Sequence, residues 1–314
     1  MTKTHPEPVD VIIPVYRPTE KLLTTLLMLE RSKVPAGRVI VINTGREHWE
    51  KFFSSYDVCA RYPFLEVHHI EKEDFDHGGT RNFGVSLSKS PFFLLMTDDA
   101  VPADPDLIGN LLEAFEDPEV GMAYARQIAN KRAGVIEKYT RHFNYPPVSL
   151  KKGAGDLERL GIKAFFASNV CCMYRRSFFD ELGGFPAHVS FNEDMIYARK
   201  LINDKKLIAY RAEAKVFHSH SYTGAQQFRR NFQNGVSHAD HPETFSDVKA
   251  SGEGMRLVKK TAERLCKKGL IFMLIPLIWQ SACKYAGYTL GERYDKLPLW
   301  IRGRLLHPEK GDEG

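Results

Sequence analysis

Four short apolar runs, spaced by a polar or amphipathic stretch each, constrain this chain more than any other feature. Val9–Tyr16 reads as a buried strand ended near a proline, and Val39–Asn43 as the next, broken at Thr44-Gly45. Glu66–Ile70 is a shorter third strand and Phe92–Met96 a fourth. From Glu20 to about Ser32, Leu22, Leu23, Leu26, Leu27 and Leu29 recur at helical spacing. Gly78 to Ser88 looks like a glycine-opened helix leading into the fourth strand. Strand and helix alternating in this way predict an α/β fold, with a mostly parallel sheet, right-handed crossovers and flanking helices. In such sheets ligands bind beyond the carboxyl ends of the strands. Pro14-Val15-Tyr16, Asn43-Thr44-Gly45 and Asp98-Asp99 all fall at those ends.

Beyond the fourth strand the pattern loosens. Residues from about 120 to 165 are expected to form long loops over the sheet, covering an acceptor site. Phe165–Tyr174 reads as another strand, Phe178–Leu182 as helix, and Gly183-Gly184-Phe185 as a turn. A helix opens at Glu193-Asp194 with Asn192 as its expected cap, and Lys215–Ser221 reads as a strand carrying Val216, His218 and His220 on one face. At 314 residues there is room for one large domain, 8–245, whose nucleotide-binding half is about 8–100 and acceptor-binding half about 101–245. A basic, apolar helical extension, 255–305, follows.

Charge supports that division. Residues 1–254 carry 32 basic and 33 acidic side chains, whereas 255–310 carry 12 and 4. The basic character therefore points to an anionic surface met by the tail and not to a nucleic-acid-binding protein. Lys259, Lys260, Arg264, Lys267 and Lys268 precede the apolar run Leu270–Trp279, which contains Pro276. Ten apolar residues are too few to span a bilayer. They suit a helix lying in the membrane interface, bent or divided in two at Pro276; an ordinary packed C-terminal helix is the other reading. None of the five cysteines forms a CxxC pair, so neither a zinc site nor a disulfide framework is indicated and a reducing cytoplasm fits best. No secretory signal is expected in the polar stretch Met1–Asp10.

Asp98-Asp99, just past a buried strand, can hold a divalent cation such as Mg²⁺ or Mn²⁺, which stabilises a departing diphosphate. Asp99 is the expected ligand, with His218 as a second and His220 as the next choice. A solvated turn would look the same in isolation. Asp194, in the first turn of its helix, is placed to stay ionised and serve as a general base. Asp76 and Arg81, in a glycine-rich segment, suit a nucleotide or diphosphate grip. Asn169, Glu193 and Arg229 are candidate contacts to the acceptor or the diphosphate.

The ordered set Pro14-Val15-Tyr16, His77-Gly78-Gly79-Thr80-Arg81-Asn82, Thr97-Asp98-Asp99-Ala100, Gly183-Gly184-Phe185, Glu193-Asp194 and His218-Ser219-His220 resembles the family 2 inverting glycosyltransferases over roughly residues 8 to 235. Within it, Phe75–Asn82 and Val216–Thr223 look most like bacterial rhamnosyltransferases of O-antigen and other surface polysaccharides. The resemblance implies a GT-A fold, a metal on the Asp-Asp motif, a catalytic base at Asp194, and donor contacts from Pro14, Val15, Tyr16, Asn43 and Asp98. It further implies dTDP-L-rhamnose as donor, a glycan or lipid-linked glycan as acceptor, and a peripheral position on the cytoplasmic side of the plasma membrane. A UDP-sugar donor (hexosyl or galactofuranosyl) and a non-catalytic nucleotide-sugar binding module remain the alternatives. Two departures stand out. Asn43 occupies the place of an aspartate that reads the nucleobase, and Asp98 stands where the rhamnosyltransferases tend to have glutamine.

Overall fold

A computed structural model of the chain describes residues 8–189, 191–220, 222–248 and 251–306. They form two compact units. The first holds the chain up to residue 130, then 144–189 and 193–218; the second holds 131–143, Phe191–Asn192, and the chain from Ser219 onward. The helix Gly224–Asp240, grouped above with the acceptor-binding half, here groups with the C-terminal helices.

The first unit is built on one mixed sheet. Its strands are β1 (Val9–Tyr16), β2 (Ala36–Thr44), β3 (Leu65–Ile70), β4 (Phe92–Met96), β5 (Val101–Pro102), β6 (Val120–Ile128), β7 (Leu150–Lys152), β8 (Cys171–Arg175) and β9 (Leu207–Phe217). The order across the sheet is β3-β2-β1-β4-β8-β6-β9-β5, with β7 pairing β9. β3, β2, β1 and β4 are mutually parallel, as the alternation of strands and helices predicts. Val11, Ile12, Ile13, Val39–Ile42 and Phe93–Met96 are fully buried because helices cover both faces of these strands. The five cysteines are all free, with Cys171 and Cys172 buried in the sheet.

Three expectations need correcting. The segment 120–165 is not a set of long loops: it contributes β6, the helix Val135–Asn144 and β7. β6 is buried on both faces from Val120 to Ala125, so no period-two pattern betrays it. The strand expected at 165–174 begins only at Cys171, leaving Ser168 and Asn169 in the loop before it. The strand expected at 215–221 is the end of a longer one, β9, which stops at Phe217. His218 lies just beyond it, although its N–H still donates to the Ile128 carbonyl at 3.1 Å.

In the second unit, the helices Gly224–Asp240 and Leu274–Gly291 pack closely side by side. The approach depends on glycine. A Cβ on Gly287 would collide with the Phe228 carbonyl oxygen, and one on Gly291 with that of Phe232. Ile136 packs against Leu265 and Leu277, tying residues 131–143 to the C-terminal helices. The extension is in two parts, Ser251–Lys267 and Leu274–Gly291, but the break lies before Pro276 and not at it. The chain turns at Gly269 (φ 71°), just before the apolar run, and Pro276 sits in the first turn of Leu274–Gly291, where its missing N–H costs no helical hydrogen bond. Among the described residues no helix is long and apolar enough to cross a membrane.

Candidate active site

Strand register brings the candidate residues to one edge of the sheet. Val15 lies beside Asn43 and Tyr16 beside Thr44, and Ile12 pairs with Leu95 in β4. β8 runs the other way, so its first residue, Cys171, faces Met96 and its approach loop meets the same edge. The Thr97 N–H donates to the Val170 carbonyl at 3.2 Å, which locks the Asp98-Asp99 turn against that loop. β6 and β9 are parallel and end together, with Gln127 opposite Val216, so His218 arrives at this edge too.

The first cluster surrounds Asp99. β4 has ended at Met96, so Asp98 and Asp99 sit in a turn and not on alternate faces of a strand. Asp99 Oδ1 accepts from the Thr97 hydroxyl at 2.9 Å. Its Oδ2 lies 3.5 Å from His218 Nε2 and 3.8 Å from the half-exposed Lys21 ammonium. His218 is 6% exposed, and its Nδ1 is 2.9 Å from the Gln127 side-chain oxygen. A carboxylate oxygen and an imidazole nitrogen at this spacing fit two neighbouring donors on one divalent cation, which at bond lengths near 2.1 Å stand about 3 Å apart. Burial, then the neighbouring Asp99, push Asp98 up to about 7. His220 belongs to the second unit, where its N–H donates to Glu137 at 3.0 Å and its ring stacks on Tyr222.

The second cluster surrounds Asp194, at the start of the helix Glu193–Asn203. Asp194 Oδ2 accepts the Asn169 N–H at 2.9 Å and Oδ1 that of Met195 at 2.8 Å. Glu193, beside it, is 5% exposed and held through its Oε1. The Asn169 amide donates to it at 2.9 Å, and Arg81 Nε lies 3.3 Å away. Tyr174 donates its hydroxyl proton to the Asn169 side-chain oxygen Oδ1 at 2.6 Å. Burial alone would raise the Glu193 carboxyl, but Arg81, with His77 and the Asn169 amide, outweighs it and holds Glu193 below the usual range. Asp194 has no such cation of its own. Burial, then the Glu193 charge, push it up to about 7, while a part of its side chain stays open to solvent. The pair thus splits into a permanent anion and a carboxyl that exchanges its proton near neutrality.

Other expected residues have structural duties. Asp76 caps the helix His77–Leu87, accepting from Gly79 at 2.7 Å and from the His188 N–H at 3.0 Å. Arg81 is 6% exposed, and besides Glu193 it holds the His77 carbonyl at 2.8 Å. Gly78 leaves room for the Pro186 carbonyl, which a Cβ would strike. Asn43 is fully buried, its amide nitrogen 3.1 Å from the Gly45 carbonyl and 3.0 Å from His69. Tyr16 lies half-buried with the Arg17 guanidinium 4.9 Å over its ring and Lys72 at 6.0 Å. The Asn192 amide, expected to cap the helix at 193, donates to Asn234 at 2.7 Å and Ser237 at 3.2 Å within the second unit. Arg229 lies half-buried on the helix Gly224–Asp240 of that unit. Sequence reasoning missed Gln127 and Ser168, which only the packing of distant segments brings together, and Tyr174, whose hydroxyl reaches back to Asn169 in the loop before its own strand.

The pattern described as Glycosyl transferase family 2 matches residues 10–183, more than half of the chain. The chain belongs to glycosyl transferase family 2. It is 36% identical over 293 residues to the O-antigen chain rhamnosyltransferase RfbN of Salmonella typhimurium, across 93% of this chain and 91% of that protein. It is 40% identical over 232 residues to the O-antigen chain rhamnosyltransferase WbaN of Salmonella anatum, across 73% of each. In structure it is similar to the mannosyltransferase PcManGT from Pyrobaculum calidifontis in complex with GDP-Man and Mn²⁺. The TM-score is 0.61 at 15% identity, over 94% of this chain and 89% of that one. That likeness speaks for the GT-A fold of this glycosyltransferase.

Proposed function

We propose that this enzyme transfers L-rhamnose from dTDP-L-rhamnose to a lipid-linked glycan in O-antigen synthesis, with inversion at the anomeric carbon. The observation that carries the donor and acceptor is the likeness, over nearly the whole chain, to an O-antigen chain rhamnosyltransferase. The unequal carboxylates support the chemistry. Asp194, once ionised, takes the proton of the acceptor hydroxyl, and the oxygen attacks the anomeric carbon opposite the leaving diphosphate. Glu193, locked by Arg81 and Asn169, keeps the loop and helix in register, and its charge makes Asp194 a stronger base. Asp99 and His218 would hold a Mn²⁺ or Mg²⁺ ion, and the imidazole donor favours Mn²⁺. When bound, that ion supplies charge neutralisation of the diphosphate.

Thermal shift with nucleoside diphosphates tests the donor. A ligand at a hundredfold excess over Kd stabilises the native state by about 2.7 kcal/mol. The expected result is stabilisation by dTDP over UDP, only with Mn²⁺. A preference for UDP would replace rhamnose with a hexosyl or galactofuranosyl donor.

We also propose that the C-terminal helices rest on the anionic inner face of the plasma membrane, where a lipid-linked acceptor is found. Ile275, Ile278 and Trp279 form an exposed row on Leu274–Gly291, continued by Ile271 and Phe272 before it. Of the basic residues nearby, Lys260 and Arg264 lie over the rings of Phe143 and Tyr139, at 5.8 and 4.6 Å. Each basic residue near an anionic surface is worth about 1 kcal/mol, screened by salt. Neutralising Lys259, Lys260, Arg264, Lys267 and Lys268 together is therefore expected to abolish co-sedimentation with phosphatidylserine-containing vesicles at low salt, while transfer to a soluble acceptor persists. A full-length protein that ignores such vesicles would make the tail ordinary packing.

A further inference from the structure

We infer that Gln127 is a positioning residue that presents His218 to the metal. The inference rests on the reading of Asp99 and His218 as metal ligands. An imidazole can ligate through Nε2 only when that nitrogen carries a lone pair, so in the neutral ring the proton must sit on Nδ1. Nδ1 faces the Gln127 side-chain oxygen at 2.9 Å, an atom that accepts and cannot donate. The proton is thereby held at Nδ1, and Nε2 points at Asp99 Oδ2, 3.5 Å away.

Gln127 is itself fixed. Its side chain is 2% exposed, and its amide nitrogen donates to the Ser168 hydroxyl at 3.0 Å. Strand register explains the encounter. Gln127 lies opposite Val216 in the parallel pair of β6 and β9, so His218, two residues on, is its diagonal neighbour on the same face. A buried amide at this point of β6 has no packing advantage over methionine of similar length, and its two polar ends both need partners. The same Ser168 precedes Asn169, whose N–H and amide hold Asp194 and Glu193. One hydrogen-bonded run therefore connects the proposed metal ligand to the loop that holds the proposed base.

Mn²⁺ titrated into the full-length protein, alone and with dTDP or UDP, and followed by the electron paramagnetic resonance of free Mn²⁺, tests this without any turnover. Gln127→Met is expected to weaken Mn²⁺ binding roughly 10- to 100-fold, the usual worth of a partner behind a ligating histidine. Gln127→Glu, which keeps an acceptor facing Nδ1, should retain the affinity of the unaltered protein, and Asp99→Ala should abolish binding. Unchanged Mn²⁺ affinity in Gln127→Met, with Asp99→Ala inactive in binding, overturns the role of Gln127 and leaves the metal site standing. Equal losses in Gln127→Met and Gln127→Glu, together with lowered melting temperatures, reduce Gln127 to a packing residue and also overturn it. Unchanged binding in Asp99→Ala removes the metal site itself, and this inference with it.

Discussion

Asp194→Asn is expected to lower turnover by roughly 10²- to 10⁴-fold while Mn²⁺-dependent donor binding stays as it was. Asparagine keeps the shape, and its one oxygen can still accept the Asn169 N–H, so the loop is held while the proton acceptor and the contact from the Met195 N–H are lost. The pH profile carries the sign. With the Asp194 carboxyl pushed up to about 7, mainly by burial, the group is protonated and idle below that pH and ionised above it. The rate of transfer should therefore rise with pH through about 7, and this limb should vanish in Asp194→Asn. Turnover near that of the unaltered enzyme would take Asp194 out of the mechanism.

Arg81→Met is the largest expected loss of stability. Arg81 and Glu193 are both nearly inaccessible, and removing one partner of a buried pair costs about 3–5 kcal/mol. In the native enzyme Glu193 is held below the usual carboxylate range, so it contributes stability that is complete above about pH 4.3 and is lost as the pH falls through its lower folded-state value. Without Arg81, burial and the Asp194 carboxyl would raise Glu193 instead, and the variant should be penalised more at pH 8 than at pH 5. Urea denaturation at both values reads the reversal. The double change Arg81→Met with Glu193→Gln should recover much of the loss, since no buried charge is then left unpaired. A single-variant loss below about 1 kcal/mol would show that water or another group already satisfies Glu193.

The parts of the fold that could be read directly are those in which local pattern and burial agree. Val9–Tyr16 and Phe92–Met96 are found with the bounds that their apolar runs suggest, since both are interior strands of the sheet with almost every residue buried. β6 escaped notice because Gly121, Ala123 and Ala125 lack the branched and aromatic residues that mark strands, though Ala123 and Ala125 are almost completely buried. At the site, Asp98-Asp99 and Glu193-Asp194 announce themselves as local pairs of acids. What distinguishes the members of each pair is not local. Arg81 reaches Glu193 from a helix more than a hundred residues earlier in the chain, and Asn169 binds both acids from a loop that resembled a strand. Gln127 meets His218 only because β6 and β9 lie side by side.

The second unit is assembled from separated lengths of chain, and this sets an order of events during synthesis. Ile136 leaves the ribosome early, yet its partners Leu265 and Leu277 follow only near the end. Every strand of the sheet has by then been made, the last ending at Phe217. The catalytic sheet can therefore complete its pairing while the helix at 135–144 still has an apolar face waiting for cover. A ribosome that stalls or stops before Leu265 would release a chain with a finished sheet and an uncovered helix, a species prone to aggregate and a natural client for chaperones.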